Sequence, residues 1–202
     1  MPNVTFEPRT TALLLCDMQN DFLHPQGAYA RGGVTSTAVT ALPARLAEVA
    51  AALRSSGGCV VSTHFTLVPE RNGEPMISKH LRRLRPFLRA GDFASGSFGH
   101  DLVAELKPVE FSLEKVGYSA FYMTRLEWLL RRAVIETLLI AGIATNGGVA
   151  STLRDAQARD VGTILLSDGC ATFEPRLHDA ALASLATMTP TMTCEEFIAT
   201  VS

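Results

Sequence analysis

The stretch that decides the fold is "TLLIAG", Thr137–Gly142, running into "IATNGGVAST", Ile143–Thr152. The first half is an apolar run of strand length. The second half starts with polar and small residues and passes into a segment that continues as a helix. An unbroken apolar strand feeding directly into a helix is the unit of a parallel sheet covered on both faces. Two glycines, Gly147 and Gly148, sit where the helix should begin. Glycine costs a helix interior about 1 kcal/mol relative to alanine, so their presence asks for a reason.

The same unit recurs along the chain. Strand-length apolar runs lie at 11–17 (TALLLCD), 59–65 (CVVSTHF), 109–115 (VEFSLEK), 137–142, 162–168 (GTILLSD) and, more weakly, 190–194 (PTMTC). Helical patterns separate most of them: 35–58, capped by Thr or Ser and stopped at Gly57-Gly58; 123–133, apolar at 123, 126, 129 and 130; 150–160; and 176–188. This alternation predicts a three-layer α/β/α domain, with a doubly wound, mainly parallel sheet of six strands. Residues 1–202 read as one domain, without internal repeats or linkers. Residues 66–100 break the pattern, with several Gly and Pro and no clear strand. Such an insert is either a lid or substrate wall, or a surface excursion with one short helix.

Composition narrows the function classes. Of 202 residues, 47% are hydrophobic and 19% charged, and the net charge is −2. These values describe a soluble globular protein and argue against a nucleic-acid binder, which would normally show a basic face. No run of about 20 apolar residues offers a membrane span, and the N-terminus lacks the order of a signal peptide, so a cytoplasmic location is expected. Cys16, Cys59, Cys170 and Cys194 are scattered, and none has zinc-site spacing. They read as free thiols.

In open parallel sheets ligands bind at the carboxyl ends of strands, near the point where strand order reverses. The first strand ends on Asp17, a candidate for catalysis or simply a loop anchor, while Asp21 reads as a loop or capping residue. The third ends on Lys115, with Glu114 on the opposite face. A buried lysine needs a carboxylate, and Asp17 would supply it if the two occupied neighbouring strand ends; otherwise Lys115 is a snorkelling surface lysine. After the fourth strand, Thr145 and Asn146 either cap a helix or, with Gly147 and Gly148, line a pocket of backbone amides for an oxyanion. The local residues do not separate these two.

Three blocks in this order, "LLLCDMQNDF", "EKVGYSAFYMT" and "GIATNGGVASTLRDA", resemble the signature blocks of the isochorismatase-like (cysteine hydrolase) superfamily. The resemblance extends through "LLSDGCATF" and covers nearly the whole chain. It implies a hydrolase in which Asp17 and Lys115 match the Asp and Lys of the amidase branch's Asp-Lys-Cys triad. The nucleophilic Cys of the "GxxTNxCV" block falls on Gly148, so covalent thioester chemistry is impossible at that position. True isochorismatases also carry glycine there and cleave a vinyl ether without a covalent intermediate. This chain departs from them at Gly117, where they have Arg, and in "ATNGGV", where they have "YAHxG".

The resemblance also implies that nicotinamidase-type metal ligands are replaced by Phe65 and Leu67, so no metal or other cofactor is expected. It further implies a homo-oligomer, a dimer or tetramer. Gln19, Phe22, His64, Tyr118 and Phe121 flank these blocks as expected substrate contacts, although a structural hydrogen bond for His64 and core packing for the aromatics serve as well. One or two of the basic residues in "KHLRRLRPFLR" (79–89) would meet an anionic substrate or a neighbouring subunit, the rest being solvated surface. Cys170, which follows the fifth strand, is the one credible replacement nucleophile, against the ordinary reading of a buried or loop-packing thiol. Three functions follow: non-covalent hydrolysis of an ether or C–N bond using Asp17 and Lys115; an amidase with a relocated cysteine; or a catalytically silent small-ligand binder or partner subunit.

Overall fold

A computed structural model describes residues 5–201 of the chain. Six strands, β1 (Thr11–Cys16), β2 (Cys59–Phe65), β3 (Phe111–Lys115), β4 (Thr137–Ile143), β5 (Gly162–Ala171) and β6 (Thr191–Met192), form one sheet. The order is β3-β2-β1-β4-β5-β6 and every pairing is parallel. The helices are α1 (Asn20–Leu23), α2 (Ala28–Arg31), α3 (Thr37–Thr40), α4 (Leu42–Ser55), α5 (Lys79–Leu84), α6 (Leu126–Arg132), α7 (Ala150–Gln157), α8 (Pro175–Leu185) and α9 (Cys194–Val201). The α/β fold is therefore the one the alternation implied, with the sheet parallel throughout.

Side chains alternate across β1 and sort into two cores. Leu13 and Leu15, with Val60, Leu139 and Ala141, pack under Leu46, Val49 and Leu53 of α4 and Phe197 of α9. Ala12, Leu14 and Cys16, with Val61, Leu138 and Ile140, pack under Leu126 and Leu130 of α6, Leu153 of α7 and Leu185 of α8. Every residue of β1 is buried, which is why its sequence shows no polar alternation. A third cluster joins Ala28, Tyr29, Leu67, Leu88 and Phe93. It ties the 66–100 segment to α2.

Several boundaries differ from the sequence reading: β5, expected over 162–168, runs on to Ala171, and β3 begins at Phe111 rather than at 109. The helix expected over 35–58 is broken at Ala41 into α3 and α4, because Pro43 in the first turn of α4 has no N–H to continue a helix from α3. The weak strand expected over 190–194 is β6, and helix α9 follows it where the sequence reading assigned no element. Its Thr193 side chain accepts from the Glu196 amide, and the Glu196 carboxylate accepts from the Thr193 amide, a capping box that starts the helix. Among the described residues, no helix is long and apolar enough to cross a membrane.

Candidate active site

The sheet order reverses between β1 and β4, and the crevice of an open α/β sheet opens at that reversal. β1 ends at Cys16, and Asp17 turns out of the strand with φ 54°. Aspartate tolerates this left-handed conformation better than most residues. Its carboxylate meets Lys115: Oδ2 lies 2.7 Å from Nζ, and both side chains are buried. The expectation of neighbouring strand ends needs correction, since β2 lies between β1 and β3. The two ends are therefore about 10 Å apart, two strand spacings. The flexible stem of Lys115 spans the gap, with Nζ 5.7 Å from the centre of the Phe65 ring at the end of β2.

Both partners are held by further bonds. Lys115 Nζ donates to the carbonyls of Gly117 (2.9 Å) and Tyr118 (3.1 Å). Asp17 Oδ1 accepts from Thr63 Oγ1 at 3.0 Å. Burial raises the carboxyl pKa of Asp17, while the ammonium of Lys115 and the Thr63 hydroxyl oppose that rise. The pair is thus desolvated and held in one orientation. Glu114, one residue before Lys115, faces away and bonds Ser95.

After β4 the chain makes one π-helical turn, Thr145–Val149, before α7. Such turns interrupt the regular helical ladder and often sit at functional sites. Of the nearby glycines, Gly142 is the one the backbone requires: its φ is 107°, and a Cβ there would lie 2.3 Å from the Cys16 carbonyl oxygen. Gly148 has a different reason. A Cβ would stand 3.2 Å from Asp17 Oδ2, so a side chain at 148 would grow directly over the carboxylate. At Gly147 the nearest contact of a Cβ would be an ordinary 3.6 Å, to Tyr118.

Asp17, Lys115 and Gly148 open together into a cavity of about 780 Å³. Phe22, Tyr118, Asn146 and Gly147 line it as expected. Asn146 does not cap a helix; its Oδ1 accepts from Thr172 Oγ1 at 3.0 Å. The other expected contacts lie elsewhere. Gln19 is fully buried and spends its amide on the backbone, Nε2 on the carbonyls of Phe65 and His100 and Oε1 on the Phe65 amide, so it clamps the ends of β1 and β2. Thr145 is also fully buried, sharing a 2.8 Å hydrogen bond with His178 Nδ1. Phe121 packs in the core beneath α6, with the Arg159 guanidinium over its ring.

His64 alternates with Phe65 along β2. Phe65 lines the cavity, whereas His64 lines a second recess of about 910 Å³ with Ser97, His100 and Glu114. There it bonds Ser62 Oγ and the His100 carbonyl. Phe65 and Leu67 pack in the third apolar cluster. Asp21 is the anchor expected of it, accepting from the amides of Ala28 (2.9 Å) and Phe93 (2.6 Å).

Cys170 lies inside β5 rather than after it, buried in the core under the helices, and its thiol sits against the Ile140 carbonyl. Burial pushes its pKa well above the ordinary thiol value, which removes the thiolate that a nucleophile needs. Cys16, beside Asp17 in sequence, faces the same core and is pushed up to about 12 by burial. The relocated-cysteine amidase thus has no thiol among those lining the Asp17 cavity.

Sequence reasoning missed several cavity residues. Ser151, Thr172 and Phe173 follow β4 and β5 and were open to the same strand-end rule. Tyr29 carried no such signal, because α2 is too short to show periodicity.

A model of the isochorismatase domain matches residues 11–196. The chain belongs to the isochorismatase family. Similar curated proteins include the ureidoacrylate amidohydrolase RutB of Methylobacterium radiotolerans, 34% identical, covering 91% of this chain and 76% of its own. That of Serratia proteamaculans is 32% identical, covering 91% and 79%. Among solved structures, a cysteine hydrolase from Pseudomonas syringae pv. phaseolicola superposes with a TM-score of 0.82 at 22% identity, over 100% of this chain and 97% of the other. An isochorismatase-like hydrolase from Alkaliphilus metalliredigens gives 0.74 at 26% identity, over 95% and 99%. This isochorismatase-family chain is accordingly a hydrolase with an Asp–Lys pair and a glycine facing one cavity.

Proposed function

We propose that this isochorismatase-family hydrolase cleaves a C–N bond of a small molecule by direct attack of water, without a covalent intermediate. The observation that carries this reading is the buried Asp17–Lys115 pair, 2.7 Å apart, with the space above its carboxylate left open by Gly148. Ether and C–N bonds both suit non-covalent hydrolysis; the amidohydrolase relatives favour the second.

In this scheme a water occupies the space over Asp17. The carboxylate takes a proton from that water as its oxygen bonds to the carbonyl carbon. The Gly148 backbone amide receives the developing negative charge, since the amides of Gly147 and Val149 donate to the Ala144 carbonyl. The tetrahedral species then collapses, the C–N bond breaks, and Asp17 returns the proton to the leaving nitrogen. Lys115 fixes the carboxylate throughout. Leu67, Ile77 and Leu81, which line the cavity, support the 66–100 segment as a substrate wall within a single 1–202 domain. Exposed Trp128, Tyr122 and Met123 support a homo-oligomer. The second reading is a small-ligand binder without catalysis. The missing nucleophile at Gly148 favours it.

Screening amides, N-carbamoyl compounds and vinyl ethers at high protein concentration, followed by Asp17→Asn on the best substrate, decides between them. The proposal expects turnover to rise with pH through a pKa above the ordinary aspartate range, because burial raises that of Asp17. Asp17→Asn then loses turnover by roughly a thousandfold, while its melting curve shows a folded chain. Turnover that survives the substitution, or none with any compound, defeats the proposal.

A further inference from the structure

The cavity holds one cation that the reaction scheme does not use. Arg85 follows α5 in the 66–100 segment and lines the cavity, half-buried. The other lining charges of fixed sign are matched within the protein: Lys115 with Asp17, and Glu174 with Arg176. Among the described residues, Arg85 has no carboxylate within ion-pair distance.

Its guanidinium is nevertheless held in place. Nε donates to Tyr29 Oη at 3.0 Å, and Nη1 donates to the Leu84 carbonyl at 2.9 Å. Two of the five N–H donors of a guanidinium are thus used, leaving an Nη1–Nη2 edge of the spacing that matches a carboxylate. Tyr29 is fixed in turn by rings on several sides, with Phe22 at 4.7 Å and Phe173 at 4.9 Å. Because its oxygen accepts from Arg85, the phenolic hydrogen is directed elsewhere. Burial raises the phenol's pKa and keeps that hydrogen in place. The α5 side of the cavity adds the apolar Ile77, Leu81 and Leu84 together with Ser78 and His80, and Leu177 lines it from α8. A positioned, unmatched guanidinium beside these apolar side chains is costly unless an anion completes it.

We propose that Arg85, with Tyr29, is the specificity determinant that binds a carboxylate of the substrate, so that the substrate class is a small amide or ureide bearing an acid group and a short apolar body. This rests on the Asp17–Lys115 cavity being the substrate site, but its test does not depend on turnover. Calorimetric titration uses two matched pairs, hippurate against hippuramide and N-acetyl-β-alanine against its primary amide, on wild type, Arg85→Met, Arg85→Lys and Tyr29→Phe.

Wild type is expected to bind each acid at least about tenfold tighter than its amide. Arg85→Met erases that preference by weakening the acids alone, Arg85→Lys restores part of it, and Tyr29→Phe weakens the acids by a smaller factor. A merely structural Arg85 would weaken acid and amide alike. No preference in wild type, a preference that survives Arg85→Met, or no binding of either acid overturns the proposal. Retained acid preference in a protein without turnover would instead count against the hydrolytic scheme alone.

Discussion

At the scale of single residues, the pair that matters was visible in sequence as two charged residues ending apolar strands. What joins them was not. Asp17 and Lys115 stand on strands separated by β2, so their contact depends on sheet order, which no local pattern encodes. Gln19, Thr145, His64 and Phe121 show the converse. They flank the same blocks, yet the first three spend their polar atoms on structural bonds and Phe121 fills the core. Adjacency in sequence marked the neighbourhood of the cavity, and side-chain direction decides which residues line it. Gly148 carries the sharpest residue-scale test. Gly148→Ala puts a methyl carbon 3.2 Å from Asp17 Oδ2, where the attacking water is proposed to sit. Its turnover number should fall on the order of tenfold to a hundredfold, while its urea midpoint moves little, because the gain from alanine in a helical turn is offset by the methyl's 3.2 Å approach to the Ile143 carbonyl oxygen. Unchanged turnover would place the water elsewhere.

At the scale of elements, the longer strands were legible because each carries an apolar run bounded by turn residues. β2 runs over the residues its sequence indicated, and β1 differs only in releasing Asp17. The short helices α1 and α2 were not legible, since four residues cannot display a 3.6-residue period. They carry Phe22 and Tyr29 to the cavity, so part of the site was hidden for the same reason. Helix α9 was overlooked although its capping box is written in "TCEE", Thr193–Glu196. It closes one face of the sheet through Phe197, which is fully buried against the cluster containing Leu13 and Leu139. Phe197→Ala should therefore cost about 3–5 kcal/mol of stability. Urea denaturation measures this, and a loss below about 1 kcal/mol would show that α9 is dispensable to the core.

At the scale of the whole molecule, the sheet reversal between β1 and β4 places a carboxylate, an ammonium and an open glycine at one crevice, and the 66–100 segment covers it from the side. The apolar residues left outside, Trp128, Tyr122 and Met123, lie on or just before α6 and fit burial between copies. Light scattering coupled to size exclusion should give a dimer or tetramer that Trp128→Glu weakens; a monomer at all concentrations would refute this. The central claim is that catalysis here proceeds with no sulfur. Intact-mass spectrometry of the protein, quenched during turnover of its best substrate in ¹⁸O-labelled water, tests it most directly. The account predicts an unmodified chain mass at every time point and one labelled oxygen in the acid product of the first turnover. A covalent acyl adduct on any of the four cysteines would contradict it.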